Sequence, residues 1–196
     1  HMLQESRVDF RFHVYIVGTI MEGQKIKGVV MESKAGRQAL LARMVVDATG
    51  DADIAAFAGA PFRLLKKPMT MMFNMVGVDI PRVLAEIGNW GNLRKVVKEA
   101  IDKGALPFEL GIEREFGAPG VHAEKLVYDG EINVWSGNLM GMDGTDPEDL
   151  TQAEVITREH AMRLAGFLKG NLPGFEKSRI EATSTQAGVR ATRQII

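Results

Sequence analysis

The sequence predicts an α+β fold that begins with a three-stranded antiparallel β-meander. The run at 8–17 alternates loosely and is rich in β-branched and aromatic residues, and it predicts a strand together with the runs at 25–33 and 38–47. The connections between these runs are short, which favours antiparallel neighbours. Beyond residue 47, helical and strand patterns follow one another, so we expect a second, mixed domain of helices and strands.

Turn residues separate the three predicted strands. Glu22-Gly23-Gln24 lies between the first and second runs, and residues 34–37 lie between the second and third. The third run leads into a short predicted helix at residues 51–58. We expect Asp51 to cap the start of this helix and Gly59 to end it.

The middle of the chain predicts a buried strand followed by two helices. Residues 69–78 are apolar and rich in methionine, and methionines in such a run usually fill a core. One helix is predicted to open near Pro81, and a second to run from Asn92 to Gly104. Residues 105–121 show no clear period and predict irregular structure.

The dipeptide Asp129-Gly130 predicts a β-hairpin. It supplies two positions that tolerate a positive φ, as a type I′ turn requires. Residues 124–128 and 131–135 flank it and predict the two strands of the hairpin.

The longest helix is predicted to begin after Thr151, because Thr151-Gln152-Ala153-Glu154 matches a capping box. The helix should run to about Gly170. Asp143 and Asp146, just before it, are typical of turn residues rather than of a catalytic carboxylate pair. Residues 179–190 predict a last extended run.

Composition and charge exclude several classes of function. The chain has 24 basic and 25 acidic residues. The basic residues are not concentrated in a stripe, so we expect no nucleic-acid partner. Its apolar runs are far shorter than the about 20 residues that span a bilayer, so we expect no membrane partner and a cytoplasmic location. The absence of cysteine excludes thiolate catalysis, and the spacing of the four histidines predicts no metal site.

Two arginines near the end of the chain are candidate functional residues. Arg190 and Arg193 follow Gly188 and are three residues apart. A guanidinium group binds carboxylates and other anions through two parallel hydrogen bonds, so the pair could clamp an anionic substrate or an anionic flavin. A surface or interdomain ion pair is the alternative, and spacing alone slightly favours it.

Several ordered motifs resemble those of a known enzyme family. Residues 44–51 (MVVDATGD) and 58–61 (AGAP) resemble the strand and ATG-Asp segment of FAD-dependent oxidoreductases with the glutathione-reductase type of fold. The resemblance continues with Pro-Met-Thr at 68–70, Asp-Gly-Thr-Asp at 143–146 and GVRATR at 188–193. This order is similar to that of distant relatives of fumarate reductase flavoproteins.

The resemblance implies a division of the chain and a set of site residues. Residues 3–61 would hold the meander and ATGD segment of an FAD-binding domain, 62–185 a substrate-binding domain, and 186–196 a return segment toward the FAD domain. Its implied cofactor-binding residues are Ala48, Thr49, Gly50 and Asp51. Gly50 would let the backbone approach the cofactor closely, because glycine has no Cβ. Arg190 and Arg193 would be catalytic, near the substrate or the flavin.

The resemblance also implies an oxidoreductase that acts on a small molecule, with a homo-oligomer as one possible state. The glycine-rich GxGxxG turn that would bind the FAD diphosphate has no match in the sequence. We therefore expect an internal fragment of a larger flavoenzyme, inactive alone and without bound FAD. The alternative is a stand-alone, non-catalytic binding or assembly module with the same topology.

Overall fold

The computed structural model describes residues 1–106, 112–113 and 117–196, with the backbone alone at 112–113. The chain divides into two compact units. The first unit contains His1–Leu65 and Arg193–Ile196, and the second contains Lys66–Thr192. Helices and strands occur in both units, so the predicted α+β class is confirmed. The assignment of 3–61, 62–185 and 186–196 to cofactor-binding, substrate-binding and return segments stays a prediction.

The first unit is built around an antiparallel sheet with the strand order β1-β2-β3, which confirms the predicted meander. A second, two-stranded sheet pairs β4 with β11. The elements of this unit are α1 (Met2–Glu5), β1 (Tyr15–Glu22), β2 (Lys25–Ser33), β3 (Gly36–Leu41), α2 (Asp53–Phe57), β4 (Phe62–Leu64) and β11 (Arg193–Ile195).

The first and third strands are shorter than predicted. Tyr15 pairs with Glu32 near the end of β2, and residues 8–14 lie beyond that end and are not strand. In β3, Leu41 pairs with Gly28, the Ala42 amide still donates to the Lys27 carbonyl, and residues 42–47 are not strand although β2 continues to Lys25. The predictions of strands at 8–17 and 38–47 are therefore wrong over these stretches.

The second unit contains a four-stranded antiparallel sheet with the order β10-β5-β9-β8. A two-stranded sheet pairs β6 with β7. The elements are β5 (Met72–Val76), α3 (Ile80–Ile87), a 3₁₀ turn (Trp90–Asn92), α4 (Leu93–Asp102), β6 (Ile112–Glu113), β7 (Ala118–Pro119), β8 (Val121–Lys125), β9 (Ile132–Ser136), α5 (Pro147–Asn171) and β10 (Arg179–Thr183).

One face of the four-stranded sheet forms the main core together with α3, α4 and α5. Side chains alternate between the faces of a strand, so every second residue of β5 and β9 points into this core. The buried hydrophobic residues of the sheet in this core are Phe73, Met75, Val121, Ala123, Ile132 and Val134. Met69, Met71 and Met75 are at most 2% exposed, which confirms that they fill a core. The prediction is wrong for Met72, which lies at the exposed start of β5 and is 36% exposed.

The two helices predicted near Pro81 and Asn92 are confirmed as α3 and α4. The prediction of irregular structure at 105–121 lies partly outside the described residues, at 107–111 and 114–116. Within the described part, β6, β7 and the first residue of β8 are strand, so the prediction is wrong over these residues.

The predicted hairpin is present, but its turn differs from type I′. Lys125 pairs with Ile132, and residues 126–131 connect the strands. Of the two turn residues, only Gly130 has a positive φ, at 75°, whereas a type I′ turn requires both. The hairpin is confirmed and the turn type is wrong.

Helix α5 begins earlier than the capping box predicted. Asp146 is its N-cap, with Oδ1 accepting a hydrogen bond from the Glu148 amide at 2.9 Å, and Pro147 follows at the first helical position. Thr151 lies inside the helix, where its hydroxyl donates to the Pro147 carbonyl. The capping prediction for Thr151 is wrong, because the Asp-Pro pair four residues earlier starts the helix.

Asp146→Ala should lower the free energy of unfolding by about 1 kcal/mol, because it removes the partner of an otherwise unpaired amide. Thr151→Ala, the matched control on the same helix, should stay within about 0.5 kcal/mol of the wild type. Chemical denaturation followed by circular dichroism measures both values. A larger loss in Thr151→Ala than in Asp146→Ala would contradict this account of the helix start.

Candidate functional site

The turn between the ATG triplet and helix α2 is shaped by the Asp47 carboxylate. Its Oδ1 accepts hydrogen bonds from the Thr49 amide at 3.1 Å and the Thr49 hydroxyl at 2.7 Å. Its Oδ2 accepts from the Ala55 amide in the first turn of α2 at 2.9 Å. One carboxylate therefore ties the end of the MVVD run to the beginning of the helix.

Thr49 completes the start of α2. Its hydroxyl oxygen accepts a hydrogen bond from the Asp53 amide at 3.0 Å. The residue at the N-cap position is Ala52, which has a left-handed φ of 55° and makes no side-chain cap. The expectation that Asp51 caps this helix is wrong, because Asp47 and Thr49 already bind two of the amides that a helix start leaves unpaired.

Hydrogen bonding also alters the acidity of Asp47. Its partial burial alone would raise the pKa, but the hydrogen bonds from Ala55, Thr49 and Ile54 outweigh burial and hold the pKa below its ordinary value. Asp47 therefore remains a carboxylate at neutral pH and keeps accepting these bonds. The sequence signalled this residue only as part of the ATG-Asp string, and its role as the organiser of the turn was missed.

The predicted cofactor-binding residues lie on an open surface of the first unit. Ala48, Thr49 and Gly50 are exposed, and Asp51 is partly exposed. Gly50 has a φ of 91°, which favours glycine, and no atom lies within 4 Å of where its Cβ would be. The backbone at Gly50 is thus accessible to a bound molecule, which fits the predicted contact with FAD.

Arg193 is tied into the first unit. Its Nη1 donates to the Asp53 carboxylate at 2.5 Å and to the Asp51 carbonyl at 3.2 Å. The guanidinium also lies 5.5 Å from the centre of the Phe62 ring, and only 16% of the side chain is exposed. The structure therefore brings together two of the predicted site residues, Arg193 and Asp51, next to the ATG turn.

Arg190 has a different environment, in the second unit. Its side chain is exposed, and among the described residues none forms a hydrogen bond or ion pair with its guanidinium. The backbone on its N-terminal side is fixed, since Gly188 and Thr70 exchange two backbone hydrogen bonds at 2.8 and 3.3 Å. Arg190 thus presents an available guanidinium next to a fixed point of the backbone.

Residues 1–196 match the model of the family described as FAD dependent oxidoreductase. The chain belongs to this family. Over the described residues, no group of histidine, aspartate or glutamate side chains is placed to hold a metal ion. In the same part of the chain, no helix has the length and apolar character needed to cross a membrane. No curated protein matches the chain significantly.

Several solved structures are similar to the chain. They include p-nitrophenol 4-monooxygenase PnpA from Pseudomonas putida DLL-E4, with 14% identity and a TM-score of 0.49 over 99% of the chain. The aromatic hydroxylase CabE from angucycline biosynthesis has 14% identity and a TM-score of 0.45 over 93%. The flavin-dependent brominase Bmp2 has 10% identity and a TM-score of 0.47 over 94%. The chain spans 30 to 41% of the lengths of these three proteins.

Asp47→Asn should destabilise the first unit at neutral pH by about 1 kcal/mol, because an amide is a weaker acceptor than a carboxylate. The wild type should lose this stability as the pH falls below about 4, through the lowered pKa of Asp47. Asp47→Asn has no carboxylate at this position to protonate, so its free energy of unfolding should fall less over the same pH range. Urea unfolding at several pH values measures the difference.

Asp9→Asn changes an exposed aspartate of the same unit and is the matched control. It should follow the wild-type pH dependence. If Asp47→Asn follows it too, the carboxylate does not organise the turn as described.

Proposed function

We propose that this chain is part of an enzyme that uses FAD to oxidise or reduce a small molecule. The observation that carries the proposal is the match of residues 1–196 to the FAD-dependent oxidoreductase family. When bound, FAD supplies the electron transfer, and the protein binds and orients the reactants. The first unit then contacts the cofactor, and the second unit binds the substrate.

Residues 48–51 are the proposed contact with FAD. The exposed backbone at Gly50 supports this role, because no atom of the described residues beyond its chain neighbours lies within 4 Å of where a Cβ would be. The hydrogen bonds of Asp47 support it as well, since they hold the turn in one shape before any ligand arrives. A preformed turn avoids the entropy cost of ordering a loop on binding.

Arg190 is the proposed contact with an anionic group. Its exposed guanidinium, which has no partner among the described residues, is available for two parallel hydrogen bonds to a carboxylate or to the anionic edge of a reduced flavin. Arg193 already donates to Asp53 and Asp51, which supports a role in holding the first unit together. A direct part for Arg193 in catalysis remains a prediction, and the same experiment tests it.

The test uses the intact flavoenzyme that contains this chain, with Arg190→Gln and Arg193→Lys. Two measurements need no known substrate: the midpoint potential of the bound FAD, and the Kd of benzoate from the change in flavin absorbance. If Arg190 binds a substrate carboxylate, Arg190→Gln should raise the benzoate Kd at least tenfold. If Arg190 binds the reduced flavin, Arg190→Gln should weaken the binding of reduced FAD relative to oxidised FAD. A tenfold loss of this preference should lower the midpoint potential by about 30 mV.

Arg179→Gln is the matched control, because Arg179 is an exposed arginine of the same unit in an ion pair with Glu181. It should leave both measurements at the wild-type value. Arg193→Lys should lower the thermal stability. If it also changes the benzoate Kd or the midpoint potential as Arg190→Gln does, Arg193 contacts the ligand as well. Wild-type values for both measurements in Arg190→Gln would contradict the proposed contact.

A further inference from the structure

A pair of oppositely charged side chains on helix α5 holds the backbone that leads to Arg190. Glu154 and Arg158 are one helical turn apart and bind each other, with Arg158 Nη2 and Glu154 Oε2 at 3.0 Å. Their other polar atoms reach away from the helix to residues 183–187, which begin at the last residue of strand β10 and are otherwise without regular structure. We refer to residues 183–188 as the anchored segment.

Arg158 binds the first half of the anchored segment. Its Nη1 donates to the Thr183 hydroxyl at 2.7 Å and to the Ser184 carbonyl at 3.3 Å. Its Nη2 donates to the Thr185 carbonyl at 3.1 Å. A guanidinium has five N–H donors in a fixed plane, so one side chain can bind several neighbouring acceptors at once.

Glu154 binds the second half of the same segment. Its Oε1 accepts a hydrogen bond from the Ala187 amide at 2.6 Å, and Ala187 itself is buried. Backbone groups that leave a sheet need other partners when they are removed from water. Side chains of α5 provide them here, so the anchored segment has a defined position despite its irregular backbone.

The chain is restrained again after Arg190. Thr192 is buried, and a Cβ on Gly144 would lie only 2.3 Å from its Cγ2 and 2.9 Å from Val189 Cγ1. The close approach to Gly144 therefore limits movement on both sides of Arg190. Because Gly188 is also bonded to Thr70, the exposed arginine lies on a short stretch that is held at each end.

We propose that Glu154 and Arg158 are positioning residues, which hold the anchored segment so that the Arg190 guanidinium meets the anionic group of its ligand. This inference rests on the proposed function of Arg190. The next pair along the helix, Glu159 and Arg163, has the same spacing and joins two residues of α5. It provides a matched comparison, because Arg163→Gln changes an arginine of the same helix in an ion pair of the same spacing.

The test is a double-mutant cycle in the intact flavoenzyme, with Arg158→Gln, Arg190→Gln and the double variant. The readouts are the benzoate Kd and the FAD midpoint potential. If Arg158 acts through Arg190, Arg158→Gln should reproduce at least half of the effect of Arg190→Gln on a logarithmic scale. It should add nothing in the Arg190→Gln background, whereas independent effects add. Glu154→Gln should behave in the same way, and Arg163→Gln should match the wild type.

A second measurement uses the 196-residue chain without a ligand. Trypsin cleavage after Arg190, relative to cleavage after the exposed Lys34, should be at least fivefold faster in Arg158→Gln and Glu154→Gln than in the wild type. In Arg163→Gln, the ratio of cleavage after Arg190 to cleavage after Lys34 should equal that of the wild type. Mass spectrometry of the fragments gives both rates from one sample.

The outcomes separate this inference from the proposed function. Additive effects of Arg158→Gln and Arg190→Gln, or unchanged cleavage after Arg190, overturn the positioning role and leave the Arg190 contact in place. An Arg190→Gln variant with wild-type potential and benzoate Kd overturns the proposed contact, and the positioning role in binding with it. Faster cleavage in that case still reports that the pair holds the segment.

Discussion

Backbone amides and carbonyls that leave a helix or a sheet must find new hydrogen-bond partners, and this requirement shapes the chain at three places. Asp47 and Thr49 bind the amides at the start of α2. Asp146 does the same at the start of α5. Glu154 and Arg158 bind the groups of residues 183–187 after β10. In each case, charged or hydroxyl side chains fix the position of a stretch of backbone that lies outside the hydrogen bonding of a helix or sheet.

The two arginines near the end of the chain show how environment separates residues of one motif. Arg193 is mostly buried and donates hydrogen bonds to the Asp53 carboxylate and the Asp51 carbonyl. Arg190 is exposed, and its flanking residues are held by Thr70 and Gly144. A guanidinium without a partner can bind a ligand at little cost, whereas one in a buried ion pair must first break it. The residues have the same chemistry, and their neighbours give them different environments.

Helices and strands with a strong local pattern were predictable. The meander, the hairpin around Asp129-Gly130, the two middle helices and the long last helix are all present, because periodicity and turn residues act over short distances. Strand ends were less predictable: residues 8–14 have a suitable composition for a strand but lie beyond the end of β2. The predicted helix caps were wrong for a related reason, because other side chains bind the amides at the helix starts. Asp47 and Thr49 bind them at α2, and Asp146 binds one at α5.

By itself, the sequence determined the fold class, the order of the elements and, through the ATGD and GVRATR motifs, the family to which the chain belongs. Only the tertiary structure decided which acids organise the turns, which arginine is paired, and that Glu154 and Arg158 hold residues 183–187. The helix pair was visible in the sequence as a spacing of four, but its partners lie about thirty residues away. Local patterns come from interactions between near neighbours, whereas the partner of a charged side chain is set by how distant segments pack.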